Sequence, residues 1–126
     1  MSGMTRRVVS IDHVQLAMPA GREGEADAFY CDVLGFDVLA KPAPLAARGG
    51  RWFACGAVQV HLGVEADFRP ARKAHPALRI ADLDDLVSKL RSVGATCRWD
   101  DEVPGERRLY TDDPFGNRLE LIEHRD

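Results

Sequence analysis

The sequence feature that most constrains the fold is an internal repeat. One order of elements occurs twice along the 126 residues: a strand, an amphipathic helix and three further strands. The first copy is predicted over residues 11–64 and the second over residues 74–124, with an irregular basic stretch around Pro70 between them. A unit of about 55 residues buries too little apolar surface to be stable alone, so the copies must pack together. We therefore expect one α+β domain, residues 1–126, made of two modules.

Hydrophobic periodicity indicates which face each helix buries. The first helix has apolar residues at i, i+3, i+4, i+7 and i+8, the spacing of a helix with one buried stripe. These residues are Ala26, Phe29, Tyr30, Val33 and Leu34. The second helix is predicted to begin after an N-cap at Asp82 and to end at Gly94. Each helix should cover one face of its own strands, which leaves the opposite face of each sheet open.

Alternating apolar and polar residues predict four strands in each module. The predicted strands cover residues 11–18, 36–40, 51–55 and 58–64, then 75–80, 95–99, 107–111 and 117–123. The apolar sides of these strands, such as Val58 to Val64 in alternation, should face the helices. The remaining side chains should line the open faces.

Four side chains of metal-binding type fall on those open faces: His13, His61, His75 and Glu120. His13 and His75 begin the first strand of each module, and His61 and Glu120 lie in the last strand. A lone strand histidine is more often a structural or surface residue than a ligand. The four residues nevertheless share one relative face at repeat-related places, and three imidazoles with one carboxylate suit an open site for Mn, Fe, Co, Ni or Zn. We therefore predict one divalent metal ion per site.

Composition excludes the large charged partners. Lysine and arginine total 17 against 20 aspartate and glutamate, a formal charge of −3, so we expect neither nucleic acid nor an anionic membrane as a partner. No run approaches the ~20 apolar residues of a membrane span, and Met1 to Arg7 lacks the apolar core of a secretory signal. We expect a cytoplasmic protein that binds a small molecule. The three cysteines have no CxxC spacing and are expected to be small buried residues.

Basic and aromatic residues near the predicted open faces are candidates for substrate binding. An anionic or aromatic substrate would be held by charge-assisted hydrogen bonds and by stacking. The candidates are Arg51, Trp52, Phe68, Arg72, Lys73 and Tyr110, with Arg107 and Arg108 nearby. For each of them, a solvated surface position or ordinary packing explains the residue equally well.

Three stretches of the sequence resemble the vicinal oxygen chelate superfamily. They are Asp12 to Ala17, Ala28 to Phe36 around the end of the first helix, and the closing stretch from Asp113 to Glu123. This superfamily contains glyoxalase I, fosfomycin-resistance proteins, extradiol dioxygenases, methylmalonyl-CoA epimerase and bleomycin-resistance proteins. The resemblance implies two βαβββ modules that form an open cup around a divalent metal, in a homodimer whose sites lie at or near the subunit interface.

The resemblance also places the four candidate ligands. His13, His75 and Glu120 match the two-histidine, one-carboxylate set of the dioxygenases and fosfomycin-resistance enzymes, whereas His61 stands where glyoxalase I has a glutamate. The implied ion is Zn, Ni, Mn or Fe. The resemblance thus implies a metal-dependent enzyme acting on adjacent oxygen atoms, by lyase, isomerase or ring-cleaving dioxygenase chemistry. Glu120, the sole carboxylate ligand, is the candidate general base. The alternative is a non-catalytic protein that sequesters an antibiotic, as bleomycin-resistance proteins do.

Overall fold

The computed structural model describes residues 5–124, except for the side chain of His124. Residues 1–4 and 125–126 lie outside this range. The segment from Met1 to Arg7, for which no secretory signal was predicted, is therefore described only from residue 5 onward. Residues 5–124 contain eight strands. The first module has β1 (Val14–Met18), β2 (Asp37–Leu39), β3 (Arg51–Cys55) and β4 (Val58–Val64), and the second has β5 (Ala77–Arg79), β6 (Arg98–Asp100), β7 (Glu106–Asp112) and β8 (Arg118–His124). They form two four-stranded sheets, ordered β1-β4-β3-β2 and β5-β8-β7-β6.

The strand registers confirm the repeat. In each sheet the first and last strands of the module pair in parallel, and the other pairs are antiparallel. Gln15 lies opposite His61, and Ala77 lies opposite Glu120. His61 and Glu120 therefore occupy equivalent positions. His13 lies two residues before Gln15, and His75 lies two residues before Ala77. The α+β fold of two βαβββ modules is confirmed.

In the described part of the chain, three helices accompany the sheets: α1 (Glu23–Asp27), α2 (Ala43–Ala46) and α3 (Leu83–Ser92). The first continues without a break as a π-helical segment (Ala28–Val33), and the amide of Leu34 donates to the carbonyl of Phe29 at 3.1 Å. Asp82 caps α3 as predicted, since its carboxylate accepts from the amide of Asp85 at 3.1 Å. The segment between the strands predicted at residues 36–40 and 51–55 contains α2, where no helix was predicted.

The helices cover the apolar face of each sheet, as expected. In the first module Met18, Val60 and Phe53 are fully buried, and the Phe53 ring stacks on Tyr30 at a centroid distance of 5.0 Å. In the second module Leu109, Leu119 and Leu121 are buried against Leu83 and Leu90 of α3. Cys55 and Val58 were expected to be buried. They are exposed, because they flank the turn at Gly56 at one end of β3 and β4.

A buried hydrogen-bond cluster ties the two modules together on the helix side. The Tyr30 hydroxyl donates to Asp113 Oδ2 at 2.8 Å. The side-chain amide of Asn117 donates to the same oxygen at 2.9 Å and to the carbonyl of Ala17 at 2.8 Å. Burial and the neighbouring Asp113 raise the pKa of Tyr30 well above its ordinary range, so the phenol remains protonated and a donor.

No helix within residues 5–124 is long and apolar enough to cross a membrane.

We predict that Tyr30→Phe lowers the free energy of unfolding by about 1–3 kcal/mol, because it leaves an oxygen of buried Asp113 short of a donor. Urea denaturation measures this change. The matched control is Tyr110→Phe, which removes a half-buried hydroxyl from the other face and should cost less than about 1 kcal/mol. Equal effects of the two substitutions would contradict the role assigned to Tyr30.

Candidate metal centre

The open face of the second sheet brings a histidine and a carboxylate into direct contact. His75 Nε2 lies 2.9 Å from Glu120 Oε1, and both side chains are largely buried, with 20% and 10% of their surface exposed. His75 Nδ1 lies 2.6 Å from the carbonyl oxygen of Lys73. A carbonyl only accepts, so Nδ1 carries a proton and orients the ring. This contact leaves Nε2 as the nitrogen that faces Glu120.

The spacing of His75 Nε2 and Glu120 Oε1, which lie at hydrogen-bond distance from each other, is also compatible with a metal site. Nitrogen and oxygen ligands lie about 2.0–2.2 Å from a divalent ion such as zinc, so two ligands at a right angle are separated by about 3 Å. The 2.9 Å separation in the structure matches that spacing. A backbone carbonyl that holds the second ring nitrogen is also typical of histidine ligands.

Arg108 holds the other oxygen of Glu120. Its Nη2 lies 3.1 Å from Glu120 Oε2 and donates to the Tyr110 hydroxyl at 3.0 Å. Tyr110 lies opposite Glu120 in the β7–β8 register, and its ring edge faces His75 at a centroid distance of 5.4 Å. Both carboxylate oxygens of Glu120 are therefore engaged. For Glu120 to act as a general base, one of these two contacts must open.

The first sheet presents the other two histidines differently. His13 Nδ1 lies 2.8 Å from Asp12 Oδ1, a contact that leaves Nε2 as the free ring nitrogen. This is the arrangement seen at His75, where an oxygen acceptor also holds Nδ1. Asp12 supplies a carboxylate in the role that the Lys73 carbonyl plays in the second module.

His61 lies at the centre of a column of three stacked rings. Its ring is 4.0 Å from that of His13 and 4.4 Å from that of Trp52, with interplanar angles of 12° and 13°. The β3–β4 register places Trp52 opposite His61 and so aligns these rings. His61 is 5% exposed, and its Nε2 lies 3.0 Å from Gln59 Oε1. Burial, with a smaller contribution from His13, lowers the pKa of His61, which favours a neutral ring.

Stacked rings are poorly placed to share one ion. The lone pairs of imidazole lie in the ring plane, and two parallel planes about 4 Å apart do not converge on a single point between them. His13 and His61 are therefore arranged as a stacked pair, in contrast to His75 and Glu120, which contact each other through Nε2 and Oε1.

The first open face borders a cavity of about 540 Å³. The cavity is lined by the stacked rings together with Gln15, Lys41 and Arg48. Gln15 lies flat over Gly63, where an added Cβ would come within 2.4 Å of the Gln15 amide nitrogen. Glycine at position 63 thus allows a polar side chain to lie across the floor of the cavity.

The structure brings the four predicted ligands together as two pairs. We call His13, His61 and Trp52 the module-one half-site, and His75, Glu120, Arg108 and Tyr110 the module-two half-site. Within residues 5–124 of one chain, no group of three or more His, Cys, Asp and Glu side chains is placed to hold a metal ion.

The six predicted substrate residues separate into three groups. Trp52 and Tyr110 lie in the half-sites. Arg72 and Lys73 flank the module-two half-site, where their backbone carbonyls accept from Arg118 at 3.1 Å and from His75. Arg51 and Phe68 lie elsewhere.

The strand alternation explains the position of Arg51. It lies on the helix side of β3, next to Trp52 in sequence but on the opposite face, and it pairs with Asp27 at 2.9 Å. Phe68 packs edge-on against Phe115 at 6.5 Å, next to the core. Arg107 likewise points away from Arg108 and pairs with Glu123 at 3.0 Å.

The sequence analysis did not assign roles to Asp12, Gln59 and Arg118. Asp12 orients His13, Gln59 holds His61, and Arg118 shares the open face of β8 with Glu120. The sequence spacing could have indicated two of these residues. Gln59 and Arg118 each lie two residues before a candidate ligand and so share its strand face.

Two βαβββ modules whose open faces carry histidine and carboxylate side chains define the vicinal oxygen chelate class. The family model described as "Glyoxalase-like domain" matches residues 15–122. A search of curated proteins found no match. Among solved structures, a putative glyoxalase family protein from Bacillus anthracis is 43% identical with a TM-score of 0.91, covering 97% of this chain and 100% of that chain.

Two further solved structures are similar in fold. The fosfomycin resistance protein FosX from Listeria monocytogenes has a TM-score of 0.75 at 14% identity, covering 93% of this chain and 94% of that one. TnmS3, an antibiotic binding protein from Streptomyces sp. CB03234, has a TM-score of 0.65 at 25% identity, covering 93% and 99%. The chain belongs to the glyoxalase-like domain family, within the vicinal oxygen chelate superfamily.

Proposed function

We propose that this protein is a metal-dependent enzyme of the glyoxalase-like type that acts on a small molecule with adjacent oxygen atoms. The observation that carries the proposal is the contact of His75 Nε2 with Glu120 Oε1 at 2.9 Å, with Nδ1 held by a backbone carbonyl. Membership in a superfamily that generally binds a divalent metal supports it. Lyase, isomerase and ring-cleaving dioxygenase chemistry are all compatible with such a site.

The proposed ligands are His13, His75 and Glu120. Each histidine has an oxygen acceptor on Nδ1, which leaves Nε2 for the ion, and Glu120 supplies the carboxylate. A bound Zn, Ni, Mn or Fe ion would act as a Lewis acid that polarises the adjacent oxygens of a substrate. His61, predicted as a fourth ligand, acts in this proposal by holding the His13 ring through stacking.

The cup is proposed to form between two copies of the chain. The modules of one chain meet through their helices and the Asp113 cluster, and this contact leaves both half-sites on open faces. Exposed apolar residues also lie just before His13: Val8, Val9 and Ile11 are 87%, 92% and 79% exposed. We propose that a second copy covers this segment and places its module-two half-site against the module-one half-site of the first.

The residues around the proposed ion have separate tasks. Arg108 fixes one oxygen of Glu120 and so keeps the other directed at His75. Trp52 and Tyr110 present one aromatic side chain from each half-site to the substrate. If Glu120 also moves a proton, the step requires Oε2 to leave Arg108, since Oε1 faces the proposed ion.

A second candidate function is binding of an antibiotic without catalysis. The column of Trp52, His61 and His13 favours it, because parallel rings beside a cavity of about 540 Å³ can extend their stack onto a planar ligand. The similarity to TnmS3, an antibiotic binding protein, supports this reading. Binding that is equally tight with and without metal would favour this second function.

We predict that Glu120→Gln and His75→Ala each weaken binding of Zn²⁺ or Mn²⁺ at least about 100-fold, because each removes a ligand that the ion requires. Competition with a chromophoric chelator measures the dissociation constant, and elemental analysis measures the stoichiometry. His61→Phe is the matched control: it keeps a stacked ring without nitrogen and should keep the affinity within about tenfold. Loss of the metal in His61→Phe would instead identify His61 as a ligand.

A mixing experiment tests the cup between two copies. His13→Ala and Glu120→Gln should each bind little metal alone. After the two variants are unfolded and refolded together, half of the dimers are mixed, and each mixed dimer has one intact site. The mixture should then bind about a quarter of an ion per chain. A mixture that binds no more than the separate variants would show that the ligands do not come from different copies.

A further inference from the structure

Arg118 is a half-buried, oriented cation without a carboxylate partner among the described residues. The guanidinium groups of Arg22, Arg51 and Arg98 contact carboxylates at 2.6–2.9 Å, and those of Arg107 and Arg108 do so at 2.7–3.1 Å. Arg118 instead donates to the carbonyl of Arg72 at 3.1 Å, and its Cζ lies 5.7 Å from the centroid of the Tyr110 ring. Two neutral contacts thus orient this charge, and neither neutralises it.

The position of Arg118 relates it to the module-two half-site. It lies on β8 two residues before Glu120, so the two side chains share one face about 7 Å apart along the strand. Tyr110 stands between two arginines, with Arg108 Cζ 6.0 Å from its ring centroid and Arg118 Cζ 5.7 Å from it. The unpaired charge therefore lies beside the aromatic side chain that faces His75.

The carboxylates on this face contact other arginines. Asp112 lies opposite Arg118 in the β7–β8 register but pairs with Arg98 at 2.9 Å. Glu120 and Asp100 lie 3.1 and 3.8 Å from Arg108 Nη2. Arg118 therefore has no carboxylate within salt-bridge distance among the described residues, and such a cation attracts a ligand group of opposite charge.

We propose that Arg118 forms an oxyanion subsite beside Glu120, and that the substrate carries a carboxylate or phosphate-like group next to its metal-binding oxygens. This inference rests on the proposed function for the ion itself. A guanidinium presents five N–H donors in a planar fork, of which the structure commits one to Arg72. The remaining donors suit the paired oxygens of an oxyanion. Tyr110 would hold the guanidinium plane by stacking while the anion binds at its edge.

The test uses small probes on Mn²⁺-loaded full-length protein. Glycolate has a carboxylate and an adjacent hydroxyl, glycolamide is its uncharged analogue, and inorganic phosphate is a tetrahedral anion. Binding of each is followed through the water-proton relaxation of the bound Mn²⁺ and by calorimetry. Arg118→Met keeps the length of the side chain without its charge. Arg91→Met, on the exposed face of α3, changes the net charge equally and serves as the control.

We expect Arg118→Met to weaken binding of glycolate, of phosphate, or of both by about 10- to 100-fold, and to leave glycolamide and the Mn²⁺ affinity within about threefold. The probe that is weakened identifies the planar or the tetrahedral oxyanion as the preferred class. Arg118→Lys should recover part of the loss, and Arg91→Met should change nothing. Equal binding of the anions to wild type and Arg118→Met, or no anion binding by wild type, would overturn the subsite.

The two proposals fail in distinguishable ways. Wild-type protein that takes up no Mn²⁺ would overturn the proposed metal function, and the same titrations on metal-free protein would then decide the subsite. Anion binding that still requires Arg118 would uphold it. Metal binding without Arg118-dependent anion binding would overturn the subsite alone.

Discussion

Parallel pairing of the first and last strands in each module is the constraint on which the rest of the structure depends. In a parallel pair, side chains at matched positions point to the same face. The residue two positions after His13 therefore lies opposite His61, and the residue two positions after His75 lies opposite Glu120. The helix between these strands covers the opposite face and buries Val60, Leu62, Leu119 and Leu121. A one-residue slip in either pair would turn His61 or Glu120 into the core, where an uncompensated polar group is costly.

The same frame holds two chemically different pairs. In the second module the matched position is occupied by Glu120, whose two carboxylate oxygens contact His75 and Arg108. In the first module it is occupied by His61, whose neutral ring stacks between His13 and Trp52. The equivalent position thus holds a carboxylate that forms an ion pair in the second module, and an imidazole that stacks between two rings in the first. The two half-sites differ accordingly: the second presents charged side chains, and the first presents stacked aromatic rings.

Much of the fold was predictable because it depends on periodicity. The bounds of β3 and β4 and the cap at Asp82 agree with the sequence prediction, since alternation and capping are local signals. Short segments were less predictable: α2 lies between two predicted strands where no helix was expected, and β6 lies at Arg98–Asp100 rather than at 95–99. Arg51 and Trp52 are neighbours in β3 and therefore point to opposite faces, which places Arg51 beside Asp27 on the helix side. The site was predictable only as a set of residues. The acceptors that orient His13 and His75, and the stacking that occupies His61, depend on ring orientations that no sequence spacing specifies.

In the proposed metal centre, one ion joins His13 of one copy to His75 and Glu120 of another. Anomalous difference density from a metal-loaded crystal, collected at the absorption edge of the bound ion, tests this arrangement. We expect one peak per chain, bonded to Nε2 of His13, Nε2 of His75 and one oxygen of Glu120, with the His61 ring still stacked between His13 and Trp52. A peak bonded to His61, or one that lies away from both His75 and Glu120, would contradict it.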